Sequence, residues 1–176
     1  TQSRSSAASD VYKRQALGTS SSAATIPVTL KSTLNNKVDE NVAGFVVPLC
    51  ATIHLSGSMM KIGLYAFAVI YMAGMDIPWG LSLGFILLLG IMMIAAPGVP
   101  GGAIMAATGL LASMLGFNDD MVALMIAAYI VVDSFGTAAN VTGDGAIALV
   151  LNRFASGKIE GHKDDESKEL DDATVA

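Results

Sequence analysis

Cysteine occurs once in the 176 residues, at Cys50, so the chain can hold no disulfide framework of its own and offers no Cys-Cys metal spacing. Charge is scarce as well: 14% of residues are charged, and none at all is charged from Ile77 to Phe117. Aromatic residues make up 6%, and no basic patch with interleaved aromatics exists, which excludes nucleic acid as a partner. The first fifteen residues lack the apolar core of a signal peptide. Their wording, SSAASDVYKRQ, resembles translated sequencing-adapter sequence, and residues 1–15 are set aside as a non-native leader.

What is abundant is apolar: 53% of residues are hydrophobic and the mean hydropathy is +0.58, above the balance of a soluble domain. A hydrocarbon core of about 30 Å takes about 20 apolar residues per helix, so the uncharged stretch can cross once or fold into a re-entrant pair. The lipid bilayer is therefore the first expected partner. The net charge of -5 comes largely from the polar stretch after Arg153.

Four segments follow along the chain. Residues 16–36 place a hydroxyl cluster, TSSSAATIP, ahead of a polar stretch that reads as a short helix emerging to water. From 43 to 75 an apolar run is interrupted by HLSGS at 54–58, the pattern of a broken helix; unwound backbone at membrane depth survives only where protein or an ion satisfies it. Residues 78–116 give two apolar arms, 81–96 and 103–115, meeting at PGVPGG. Each arm is short for a span at about 1.5 Å per residue, so the pair reads as a re-entrant hairpin. The last helix, 119–154, has its apolar run interrupted by the polar string DSFGTAANVTGDG at 133–145. At 100° per residue Thr137, Asn140 and Asp144 lie within about 40° of Asp133 on one helix face. Carboxylates inside a membrane helix are expensive and line a binding site or conduction path.

Lys31 and Lys37 precede the broken helix and Arg153 and Lys158 follow the last one, whereas the loops at Asp76 and at Asp119 and Asp120 carry only acids. The positive-inside rule places the first pair and the 155–176 tail in the cytoplasm. Lys61 is an exception, read as a snorkelling lysine. The tail alternates acids and lysines and reads as solvated and disordered.

In order and spacing, TSSSAATIP, PLCATIHLSGS, GVPGG and DSFGTAANVTGD resemble the motifs of the dicarboxylate/amino acid:cation symporter family, which includes the bacterial glutamate transporter homologues. The resemblance covers about residues 18–154. It implies an all-α membrane protein of broken transmembrane helices and re-entrant hairpins, the transport-domain core of the glutamate transporter fold. It also implies a C-terminal fragment whose upstream part, with the trimerising scaffold, lies outside this sequence. For the full-length protein it implies a homotrimer, multi-pass in the inner or plasma membrane, that carries an amino acid or dicarboxylate with Na⁺ and holds no tightly bound cofactor.

Carried over by position, the resemblance assigns substrate contacts to Ser21 and Ser22 at one tip, Gly98 and Val99 at the other, and Ser58, Asp133, Gly136, Thr137 and Asn140 between them. Hairpin tips suit an anion because half-helix N-termini present unpaired N–H groups. The same comparison assigns cation contacts to Asn140 and Asp144, with Cys50, Thr52, His54 and Ser56 on the broken helix. This chain departs from the family pattern where His54 and Ser56 stand for an asparagine and an aspartate, where Met93 and Ala96 replace hydroxyls, and where Gly136 replaces an arginine. Loss of one carboxylate implies fewer Na⁺ ions, or a proton in place of one. With no basic side chain on the Asp133 helix face, the substrate's own ammonium is the expected partner of Asp133, and a neutral amino acid is favoured. Rival readings are an ion channel, which needs a continuous pore, and a membrane-embedded acid/base enzyme. Asp133 and Asp144, about 16 Å apart along the helix, cannot share one proton.

Overall fold

The computed structural model describes residues 13–175, with side chains described as far as Ala155. The expected leader therefore lies mostly outside the described residues. Its last part, residues 13–15, opens a helical segment, α1 (13–19). The chain continues as α2 (Ser22–Asn35), α3 (Glu40–Ile53), α4 (Ser56–Met72), α5 (Trp79–Ala95), α6 (Gly102–Leu115), α7 (Asp119–Val131) and α8 (Asp133–Val175). No strand occurs among the described residues.

The hairpins form where the sequence is punctuated. Ser20, with φ of 49°, turns the chain between α1 and α2, and Ser21 caps α2 by accepting from the Ala24 N–H at 3.2 Å. Between α5 and α6, Gly101 takes φ of 71°, the left-handed region in which glycine carries no Cβ penalty. Both arms of this second hairpin are apolar and short, at 17 and 14 residues. Met93 and Ala96 are buried in the apolar cluster that α4, α5, α6 and α7 share around Ile62, Phe85, Leu89 and Leu111.

Two helices are broken. The first break occupies only His54 and Leu55, shorter than the expected 54–58, because Ser56, Gly57 and Ser58 already form the first turn of α4. Asn140 explains the early start: its Oδ1 accepts the Gly57 N–H at 2.8 Å and so satisfies a free donor of that turn. The second break falls at Val132, ahead of the polar string rather than within it, and the two pieces meet at 64°. The string itself is helical. The backbone of α8 also continues as helix to Val175 where a disordered tail was expected; alternating Lys, Glu and Asp are compatible with helix at i,i+4 spacing.

α8 is the axis of the assembly, packed by α2, α3 and α4. Beside its apolar core the chain buries a polar group of residues and exposes many large apolar ones. Ser22, Thr25, Thr29, Ser58, Asp133, Thr137, Asn140 and Asp144 are buried, while Phe45, Leu64, Leu87, Ile91, Trp79 and Phe154 are exposed. Large apolar side chains on the exterior, with charged groups kept inside, are what a lipid solvent selects. By length and composition Glu40–Met72 is one candidate span, and α7 with α8 to Ala155 is a second, bent one.

The α4–α8 contact leaves no room at Gly57, where an added Cβ would press on the Gly136 carbonyl oxygen and stand 2.8 Å from Ala139 Cβ. Gly57→Ala is expected to destabilise the full-length protein by about 1–3 kcal/mol through overpacking, read as a lower thermal unfolding midpoint in detergent. An unchanged midpoint would show that α4 and α8 do not pack this closely.

Candidate substrate and cation site

The two hairpin tips meet. Gly98 O accepts from the Ser21 hydroxyl at 3.0 Å and from the Ala23 N–H at 3.2 Å, so the tip of the second hairpin is hydrogen-bonded to the start of α2. Ser21 thus serves both as helix cap and as latch. Behind this contact lies a small cavity lined by Ser22, Leu55, Ser58, Gly98, Val99, Tyr129, Asp133, Thr137 and Asn140, among others. Most of the substrate residues expected from the sequence are gathered here, with Ser21 at the rim.

Asn140 ties the cavity to the broken helix, since its Nδ2 donates to Ser58 Oγ at 3.2 Å while its Oδ1 holds Gly57. Thr137, one turn after Asp133, returns its hydroxyl to the Asp133 carbonyl at 3.1 Å. One turn beyond Asn140, Asp144 is 1% exposed; its Oδ1 is 2.8 Å from His54 Nδ1, and its Oδ2 is buried without a hydrogen-bond partner. His54 fits beside α8 because Gly143 has no Cβ, which would run into the imidazole ring.

Of the other expected cation residues, Cys50 is buried, on α3 one turn before His54. Thr52 and Ser56 do not converge on the site: both are exposed, and the Thr52 hydroxyl is returned to Leu49 O at 2.8 Å, within its own helix. Ser56 instead borders an apolar groove with Met59, Met60 and Phe67. At the N-terminus of α4 its side chain is directed away from α8, which Gly57 and Ser58 face.

Lys61 is the principal correction. It does not snorkel: its side chain is 14% exposed, and Nζ donates to Asp133 Oδ1 at 3.0 Å and to the carbonyl of Val132, freed by the α7–α8 break, at 3.3 Å. The ammonium also lies 3.8 Å from the centroid of the buried Tyr129 ring, a cation–π contact. Gly136 is not a wall of the cavity but the seat of this side chain, since a Cβ there would fall on Lys61 Cε and Nζ. The second oxygen of Asp133 accepts the Gly101 N–H at 2.9 Å. Asp133 therefore has its cation from α4, a partner invisible to a reading confined to its own helix face. Tyr129 was missed too, although its place four residues before Asp133 is a signal that could have marked it.

Broken helices and facing hairpin tips lie over buried carboxylates, inside an apolar exterior, an arrangement of the kind found in membrane solute carriers. The sequence matches the sodium:dicarboxylate symporter family over residues 12–154, and the chain belongs to that family. It is 33% identical over 146 residues to excitatory amino acid transporter 1 of Ambystoma tigrinum, covering 82% of this chain and 27% of that protein. It is 32% identical over 137 residues to human excitatory amino acid transporter 5, covering 77% and 24%. Against the putative sodium-dependent excitatory amino acid transporter glt-4 of Caenorhabditis elegans it is 32% identical over 154 residues, covering 84% and 30%. The chain thus spans between 24% and 30% of these relatives' length. The matching family is described as one of symporters.

Removing one partner of a buried ion pair strands the other, at a cost of about 3–5 kcal/mol. Asp133→Asn should therefore unfold at a markedly lower temperature than wild type, and adding Lys61→Met should recover most of the loss. Additive losses in this double-mutant cycle would mean that the two groups are not paired.

Proposed function

We propose that the chain forms the substrate- and cation-binding core of a carrier that moves an amino acid or a dicarboxylate across the membrane in symport with a cation. The observation that carries this reading is the contact of the two hairpin tips, Ser21 to Gly98, over the buried polar face of α8. Tips that latch by a few hydrogen bonds can open and close on a bound solute, which an occluding carrier needs and a continuous pore does not. The preference for a neutral amino acid loses its premise, because Asp133 already has Lys61 as a positive partner. Assembly of the full-length carrier as a homotrimer, with a cytoplasmic tail, belongs to the same reading.

The coupling cation is Na⁺ in this proposal, and the residues present fit it. The buried, unpartnered Oδ2 of Asp144 is a hard oxygen ligand, and His54 occupies only the other oxygen. When bound, the cation would supply the positive charge that this oxygen lacks. Reconstituted full-length protein should show saturable uptake that collapses when the Na⁺ gradient is dissipated. Asp144→Asn should raise the Na⁺ concentration for half-maximal uptake about tenfold or more; an unshifted Na⁺ dependence would remove Asp144 from the cation site, and flux that never saturates would favour the channel.

A further inference from the structure

Lys61 sits where the site would otherwise need a positive charge from outside. Its ammonium is bonded to one oxygen of Asp133 while the tip of the second hairpin, through Gly101 N–H, holds the other. Both oxygens facing the cavity region are thus engaged, and the pair is nearly buried, at 14% and 6% side-chain exposure. The seat is shaped for this side chain: Gly136 leaves open the volume that Lys61 Cε and Nζ fill, and Tyr129 offers its ring to the ammonium.

We propose that Lys61 is a specificity-determining residue, a tethered ammonium that neutralises Asp133 from within and directs the pocket toward carboxylate substrates without an amino group, as in a C4 dicarboxylate, and away from α-amino acids. This rests on the reading of the chain as a carrier core. A ligand ammonium entering at Asp133 would meet a carboxylate already bonded on both oxygens and a like charge beside it. Expelling Lys61 to make room would strand an ammonium in a nearly dry site. A ligand carboxylate meets the opposite situation. Beyond Asp133, Lys61 is held among the described residues by the Val132 carbonyl at 3.3 Å and a ring face, weaker partners that a second carboxylate can replace. The other carboxylate of such a substrate would lie against the N–H groups at the hairpin tips near Ser22 and Val99.

The test is ligand binding to purified full-length carrier in Na⁺, read as thermal stabilisation by succinate, L-aspartate and L-serine. Wild type should be stabilised by succinate at concentrations at least about tenfold below those needed for either amino acid. Lys61→Met should weaken succinate about tenfold or more and improve the amino acids, because Asp133 is released to bind an ammonium. Lys61→Arg, which keeps the charge, should retain the order of wild type, and Lys61→Met/Asp133→Asn, which removes both charges and strands neither, should bind all three poorly. If wild type prefers an amino acid to succinate, or if Lys61→Met folds and leaves the order unchanged, the proposal is overturned. Should Lys61→Met fail to fold, the double variant decides: succinate binding at wild-type strength there overturns it equally. Selective binding without gradient-driven uptake would count against symport and leave the role of Lys61 standing.

Discussion

Two carboxylates buried on one helix are the constraint around which the chain is arranged. Asp133 and Asp144 lie on the same face of α8, 5% and 1% exposed, and neither can remain there as an isolated charge. Both partners come from the broken helix that crosses α8: His54 at its break and Lys61 farther along α4. Each basic side chain needs a cleared seat on α8, and glycine stands at both, Gly143 under His54 and Gly136 under Lys61. Asn140, midway between, bonds the first turn of α4 and sets the spacing of the two helices. Charge, sterics and helix capping therefore specify one interface together.

The second constraint is backbone satisfaction. A helix that ends inside an apolar surrounding leaves donors and acceptors without water, and each must find a protein partner. Here the partners are the functional groups themselves. The break at Val132 gives its carbonyl to Lys61, the hairpin turn at Gly101 gives its N–H to Asp133, and Gly98 O binds Ser21. Candidate site and fold are held by the same bonds.

Much of this was legible from residue order. Gly and Pro at 97–102 and the serine run before Pro27 mark turns by local sterics, and the three- and four-residue spacing of Asp133, Thr137, Asn140 and Asp144 survives as a buried face. Apolar runs gave the helices because their length is set by chain geometry. What stayed hidden depends on contacts between segments. The break at Val132 lies in the sequence YIVVDSF, which carries no glycine or proline, and it is stabilised by a lysine seventy-one residues away. Lys61 looked peripheral since helical periodicity relates it to its neighbours on α4 and says nothing about which face of α8 it meets. Thr52 and Ser56, assigned through the resemblance, turn their side chains away from Asp144, because a helix places successive residues 100° apart.

The departures from the family pattern also take on a different sense when they are considered in pairs. Gly136 by itself is a lost arginine, which argues for a pocket without a cation; Lys61 by itself is a stray charge. In the structure they are one feature, because the lysine occupies the volume that a side chain at 136 would need. The positive charge has moved from α8 to α4 and from a guanidinium to an ammonium, which trades a planar bidentate donor for a compact one. Restoring an arginine at 136 alone would not recreate the family site. It would drive a second cation into the seat of the first, with a steric collision and a like-charge contact at a single carboxylate. Each of the two positions therefore limits what the other can become.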